Sequence, residues 1–259
     1  MIINKNKNKN FNFLDNIENV NILKKNINIT KTTKKYKIFI IKLKNYKNGE
    51  IQLKDLIESF ELFNKKSKIN IFNAIKGNEG HKVLNDFLKI FNLNKKDFLP
   101  KLLPDKHKGR IGCLASHLIL WIMCIIKNKN FIILENDSLL VNDYQPILNN
   151  IQKDVILLDP FCPYDINYNK NIKKNNKIDL KINDKHTKFN NFKTKGAYSY
   201  IMTPNGAKKI LNSIIKSKKW LPADYYLNDN LLNIGTTNKT IFRINNNFPA
   251  GVISSTKNL

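Results

Sequence analysis

The sequence predicts an α/β domain whose mixed, mostly parallel central sheet is flanked by helices. Three observations predict it. Short β-branched runs alternate with amphipathic helical patterns through the first half of the chain. The most apolar segment, Ile111 to Ile126, is followed closely by a further strand-like run, Phe131 to Leu134. A chain of 259 residues with 42% hydrophobic content can bury the core that such a sheet needs.

Residues 1–35 are low-complexity and rich in Lys and Asn. Phe13, Ile17 and Val20 make one weak apolar face, so this segment is expected to be an N-terminal extension to a domain spanning 36–259. The domain opens with "YKIFIIKL", a buried strand. Leu53, Leu56, Ile57, Phe60 and Phe63 then fall on one helical face. "INIFNA" is a second strand, ended by Gly77, and Val83, Leu84, Phe87, Leu88 and Phe91 mark a second amphipathic helix. Ile111 to Ile126 falls short of the roughly 20 residues a membrane span needs. It contains Ser116 and His117, and a buried core helix is expected. "DVILLD" and "AYSYIM" are further strands, separated by a polar, lysine-rich loop over residues 167–191. In "TPNGAKKILNSIIKS", Thr203 is placed as N-cap and Pro204 as the first helical residue, with Ala207, Ile210, Leu211, Ile214 and Ile215 as the buried stripe. A last helix starts near Pro222, and "TIFRI" and "FPAGVI" close the chain as strands.

The formal net charge is +25, from 45 Lys plus Arg against 20 Asp plus Glu, and only Arg110 and Arg243 are arginines. Two explanations stand. A basic surface attracts nucleic acid whatever its sequence. Alternatively, an AT-rich codon bias enriches Lys, Asn and Ile together. Evolved phosphate and base readers lean on arginine, and the lysines here are spread along the chain, so codon bias is favoured and nucleic acid is not the expected partner. The charge still favours anionic partners: sugar nucleotides, acidic glycans or an anionic membrane face. Cys113, Cys124 and Cys162 are odd in number and form no CxxC, which favours a reducing compartment. No signal-like apolar run opens the sequence, and a cytoplasmic location, peripheral to a membrane, is expected.

The chemistry concentrates in "FIILENDSLL". Ligands bind at the carboxyl ends of strands in open α/β sheets, and Glu135 and Asp137 follow Leu134 directly. Residues two apart can aim at one hard cation while Asn136 points away. The same tripeptide also suits an ordinary turn. Upstream, Ser116 and His117 are adjacent in a helix and so do not face each other. Cys113 and His117, four apart, could share a metal, although two such ligands make a poor site without a third. A buried polar pair serving a neighbouring loop or a nucleotide is the favoured reading.

"GRIGCLASHLILW" followed by "FIILENDSLL" resembles glycosyltransferase family 25, whose pattern is Gly-x-x-Gly-Cys-x-x-Ser-His-x-x-x-Trp and then an apolar strand ending in Glu-Asp-Asp. Gly109, Gly112, Cys113, Ser116, His117 and Trp121 fall at those spacings, and Glu135 and Asp137 match the first and third acids. "KIFIIKL", "INIFNAIKG", "GAYSYIMTPNGAKKIL", "LPADYYL" and "FPAGVISST" resemble further family segments in the right order, over roughly residues 36–259. The chain departs from the pattern at Asn136, and at Lys42 and Lys44, where the family tends to have Asn-Leu-x-Arg.

The resemblance implies a single GT-A-like nucleotide-sugar-binding domain. It implies inverting transfer of galactose or glucose from a UDP-sugar to a glycan or glycoprotein hydroxyl, assisted by Mn2+ or Mg2+. Asp137 would be the metal ligand, with Glu135 a second ligand or a ribose contact. Asp224 would be the general base, held ionised near a helix N-terminus, or would simply cap that helix. Ser116, His117, Gly196 and Tyr198 would line the donor site. Gly196 would pass close to the sugar or form an ordinary turn, and Tyr198 and Tyr200 would stack on sugar or base or merely fill a strand face. His186 would close over the donor as a third metal ligand. The rival readings are a catalytically inactive family member acting as a binding protein and a lysine-rich nucleic-acid-binding protein.

Overall fold

The computed structural model describes residues 36–43, 47–63, 67–98, 108–149, 151–160, 179–183 and 196–245. The N-terminal extension, His186, Cys162 and "FPAGVISST" lie outside the described residues.

The first strand, β1 (Tyr36–Lys42), is buried along almost its whole length. It lacks a polar face because both of its faces are covered. Phe39 and Ile41 enter one apolar cluster, while Ile38 and Ile40 enter the other. The helix α1 (Lys47–Phe63) turns Leu53, Leu56 and Phe60 to the second cluster. Phe63, expected on that face, is exposed at the helix end. The strand β2 (Ile69–Asn73) pairs parallel with β1 at the sheet edge. The helix α2 (Gly77–Ile90) buries Val83, Leu84, Phe87 and Leu88, and α3 (Lys108–Lys127) is buried nearly throughout. By length and composition α3 could cross a membrane, yet it is the core helix of this domain, packed against α2 and the sheet.

The strand β3 (Asn130–Glu135) pairs parallel with β1 and is followed at once by β4 (Ser138–Leu140). Then come β5 (Val155–Leu157), β6 (Ile182–Asn183), β7 (Ser199–Met202), α4 (Pro204–Ser217), the single turn α5 (Ala223–Tyr226), β8 (Ile234–Thr237) and β9 (Phe242–Ile244). Seven strands form one sheet in the order β2-β1-β3-β7-β5-β8-β6. Only β7 and β6 run against the others, so the sheet is mixed and mostly parallel, as the sequence predicts. This α/β architecture is consistent with a GT-A-like domain. The helices α2, α3, α4 and α5 carry the cluster on one face, while α1 and the β4–β9 ladder carry the cluster on the other.

Two details fix α3. A Cβ on Gly112 would lie 2.4 Å from the Ile75 oxygen, so backbone meets backbone there and no side chain fits. Beside it, the Ser116 hydroxyl accepts from the Ile75 N–H at 2.9 Å and donates to the Gly112 carbonyl at 2.8 Å. The loop leaving β2 is therefore bolted to the first turns of α3. The cap at α4 is as expected: Thr203 Oγ1 accepts from the Gly206 N–H at 3.1 Å, with Pro204 in the first turn.

Candidate active site

The carboxyl end of β3 forms a rim beside the end of β1. The Asn136 N–H donates to the Ile41 carbonyl at 3.1 Å and the Glu135 N–H to the Tyr198 carbonyl at 2.8 Å. The Asn136 side chain turns inward, where its Nδ2 donates to Gln52 Oε1 at 2.6 Å beneath α1. The residue standing where the family has a middle acid thus points away from its neighbours, and Glu135 and Asp137 remain at the rim.

Glu135 is tied to α3. A hydrogen-bond chain runs back from it into the core. Trp121 Nε1 can only donate, and it does so to the Tyr200 hydroxyl oxygen at 2.9 Å. The Tyr200 hydroxyl lies 2.7 Å from His117 Nδ1. With a proton on Nε2, His117 donates to Glu135 Oε1 at 3.2 Å, and the Cys113 thiol approaches the same oxygen at 3.7 Å. Burial and then the charges of Glu135 and Asp224 push the Cys113 thiol well above its usual range. His117, Trp121 and Tyr200 are fully buried, whereas Glu135 is about one-third exposed and looks out of the rim.

Asp137 is the opposite case. Its Oδ1 is buried and has no hydrogen-bond partner among the described residues. Burial, reinforced by the Glu135 charge, pushes its carboxyl up to about 8. Two carboxylates side by side, one with an oxygen that has no partner among the described residues, would be stabilised by a positive charge. An oxygen-seeking divalent ion such as Mn2+ or Mg2+ fits that donor set. The third carboxylate, Asp224 on α5, bears electrostatically on Cys113 and feels Glu135 and His117 in turn.

The Asp224 carboxyl is shifted upward: burial raises it and Glu135 adds to the rise, while the N–H groups of Asp224 and Tyr225 and the His117 ring oppose it. α5 is one turn of four residues, so few aligned peptides support the charged form. The helix is capped at Pro222 with no side-chain bond, so Asp224 is not its N-cap.

Ser116 and His117 point to different partners, the β2 loop and the rim, as adjacent helical residues must. Ser116 is fully buried and committed to that loop. Tyr198 and Tyr200 are both buried, and their hydroxyls are bonded inside the protein, Tyr198 to Asp159 and Tyr200 to His117; as placed, neither ring is open for stacking. Gly196 has a φ of +97°, the left-handed region, so the turn before β7 requires glycine there. Two side-chain placements stayed hidden in the sequence. Tyr200 is the hub of the chain behind Glu135. Arg243 sits on β9 opposite Leu139 of β4, with a buried Nε lacking a partner among the described residues. Its rarity among lysines was the one available signal.

No curated protein matches the sequence. A family model described as glycosyltransferase family 25 (LPS biosynthesis protein) matches residues 35–227, which takes in the α3 motif, the rim acids and Asp224. Together with a fold that delivers three carboxylates to one sheet rim, that match places this chain in glycosyltransferase family 25.

Proposed function

We propose that this glycosyltransferase moves a hexose, galactose or glucose, from a UDP-sugar to a hydroxyl of a glycan or glycoprotein, with inversion at the anomeric carbon. The observation that carries the reading is the grouping of Glu135, Asp137 and Asp224 near the rim, with one Asp137 oxygen unpartnered among the described residues. Asp137 and Glu135 would hold Mn2+ or Mg2+. When bound, the ion would neutralise negative charge on the departing diphosphate. Asp224 would take the proton of the acceptor hydroxyl, and its raised carboxyl pKa brings it nearer the range in which a general base works at neutral pH. The chain Trp121–Tyr200–His117 would hold Glu135 in one orientation while the site fills and empties. The strongly basic composition supports anionic donors and contact with an anionic membrane face from the cytoplasmic side.

The test is a panel of UDP-sugars assayed for manganese-dependent UDP release, wild type beside Asp137→Asn. Release is expected from a galactose or glucose donor and should fall about a hundredfold or more in the variant. Equal rates in the two proteins would refute the assignment of the metal to Asp137. No release from any donor would favour a non-catalytic binding role.

A further inference from the structure

Cys113 and His117 lie four apart on α3, a spacing that puts both side chains on one helical face. The fold supplies what their sequence spacing lacks. Glu135, at the end of β3, brings a carboxylate oxygen to 3.2 Å from His117 Nε2 and 3.7 Å from Cys113 Sγ, and the three donor atoms all lie within 4.8 Å of one another.

The first two distances match two edges of a face of a metal tetrahedron, and the third edge is within reach of closure by a small side-chain shift. Zinc binds nitrogen and oxygen at about 2.0 Å and sulfur at about 2.3 Å; at tetrahedral angles this sets N and O about 3.3 Å apart and S and O about 3.5 Å apart. The His117 ring is already fixed on its far side by Tyr200, itself held by Trp121. Ring-orienting partners of this kind accompany metal-bound histidines. Glu135 is about one-third exposed, so a water or a ligand oxygen could complete the set.

We propose that Cys113 Sγ, His117 Nε2 and Glu135 Oε1 form a second metal site, selective for a thiophilic divalent ion such as Zn2+. Its donor set differs from the all-oxygen set at Asp137. A thiolate and an imidazole favour zinc over magnesium or manganese. On binding, the thiol proton is released, and the ring proton moves to Nδ1 and faces the Tyr200 oxygen. The site borrows Glu135 from the rim, which makes it a point where zinc would regulate transfer.

The test uses the full chain, stripped of metal, and needs no donor or acceptor. Co2+ titration of the wild type is expected to give the visible bands of a tetrahedral site with a thiolate-to-cobalt charge-transfer band, all displaced by Zn2+. Cys113→Ser should lose the charge-transfer band. Cys124→Ser should keep it, because that thiol is bonded to the Lys129 and Met202 carbonyls on the buried side of α3. Asp137→Asn should also keep it, which separates this site from the proposed catalytic ion.

A second measurement avoids substitution altogether. Zn2+ at a hundred times its dissociation constant should slow alkylation of Cys113 in the wild type by about a hundredfold, whereas Mg2+ should not. No charge-transfer band in the wild type, a band that survives Cys113→Ser, or Cys113 alkylation unaffected by Zn2+ would each overturn the proposal.

Discussion

Asp154 and Asp137 are both acids with buried oxygens, set before β5 and after β3, and they have opposite surroundings. Asp154 is surrounded by donors. Its carboxylate accepts from Lys209 Nζ at 2.5 Å, from Asn205 Nδ2 at 2.6 Å and from the Asn233 N–H at 2.8 Å. Burial alone would raise its carboxyl, but those donors more than offset this and hold it below the usual range. Asp137 has an orphaned oxygen, a carboxylate for a neighbour and a carboxyl pushed up to about 8. The first ties α4 and the start of β8 to β5. The second costs the empty fold stability, a cost a bound cation would remove. Burial is common to both; the supply of donors separates an acid that holds the structure together from the one proposed to hold a cation.

The largest effect should come from Asp224, the third rim carboxylate. Asp224→Asn is expected to reduce sugar transfer by about 10²–10⁴-fold with little change in unfolding midpoint. Steady-state rates alongside urea melts check it, and a full-rate variant would remove Asp224 from the chemistry.

Next is Asp154→Ala, which strands the Asn233 N–H and releases Lys209. Lys209 is partly exposed, so the expected loss is about 3 kcal/mol, the low end for a broken buried pair. Because the folded carboxyl lies below its unfolded value of 3.8, this stability is present above that pH and disappears as pH falls through the folded value. Denaturation curves from neutral to acid pH should show wild type and variant converging.

Asp137→Asn should behave in the contrary way. Its carboxyl is raised, so the metal-free wild type loses stability as pH climbs from 3.8 to about 8. The variant should therefore melt several degrees higher at pH 8, with the difference closing toward pH 4. Thermal melts in chelator read this out, and a variant less stable at pH 8 would show Asp137 to be a structural acid after all.

The smallest expected effect is a control away from the rim. Thr203→Ala removes the α4 cap and should cost about 1 kcal/mol at every pH, with transfer unaffected. Chemical denaturation at two pH values suffices to test it.

How far the sequence discloses this contrast depends on the range of the interactions. The long β-branched run of β1, the stripes of α1 and α2, the apolar α3 and the Thr203–Pro204 start of α4 are local signals, and all five elements form as expected apart from the exposed Phe63. Glu135 and Asp137 are legible as rim acids because they terminate an apolar run. The strand β8 is not legible: three of its residues are β-branched, but four residues interrupted by Gly235 are too short a run to stand out, and pairing with β5 and β6 on either side makes it a strand. Residues 182–183 fall inside a stretch that looks like pure loop for the same reason. The chain behind Glu135 joins Trp121 to Tyr200 across 79 residues, and no local pattern encodes it. The raised carboxyl of Asp224 was equally hidden, since it depends on burial and on Glu135 rather than on the Pro-Ala-Asp stretch itself.

The placement of β7 has one more consequence. β3 and β5 never touch; the strand between them arrives from Ser199–Met202 and pairs with both. The Glu135 amide and the Ser138 hydroxyl each bond the Tyr198 carbonyl, just ahead of that strand. A nascent polypeptide that has reached residue 195 already holds α3, β3 and both rim acids in its sequence, but has no ladder to join the two halves of its sheet. This edge of the sheet can be completed only after residues 199–202 have been made, when one reversed strand slots in like a keystone.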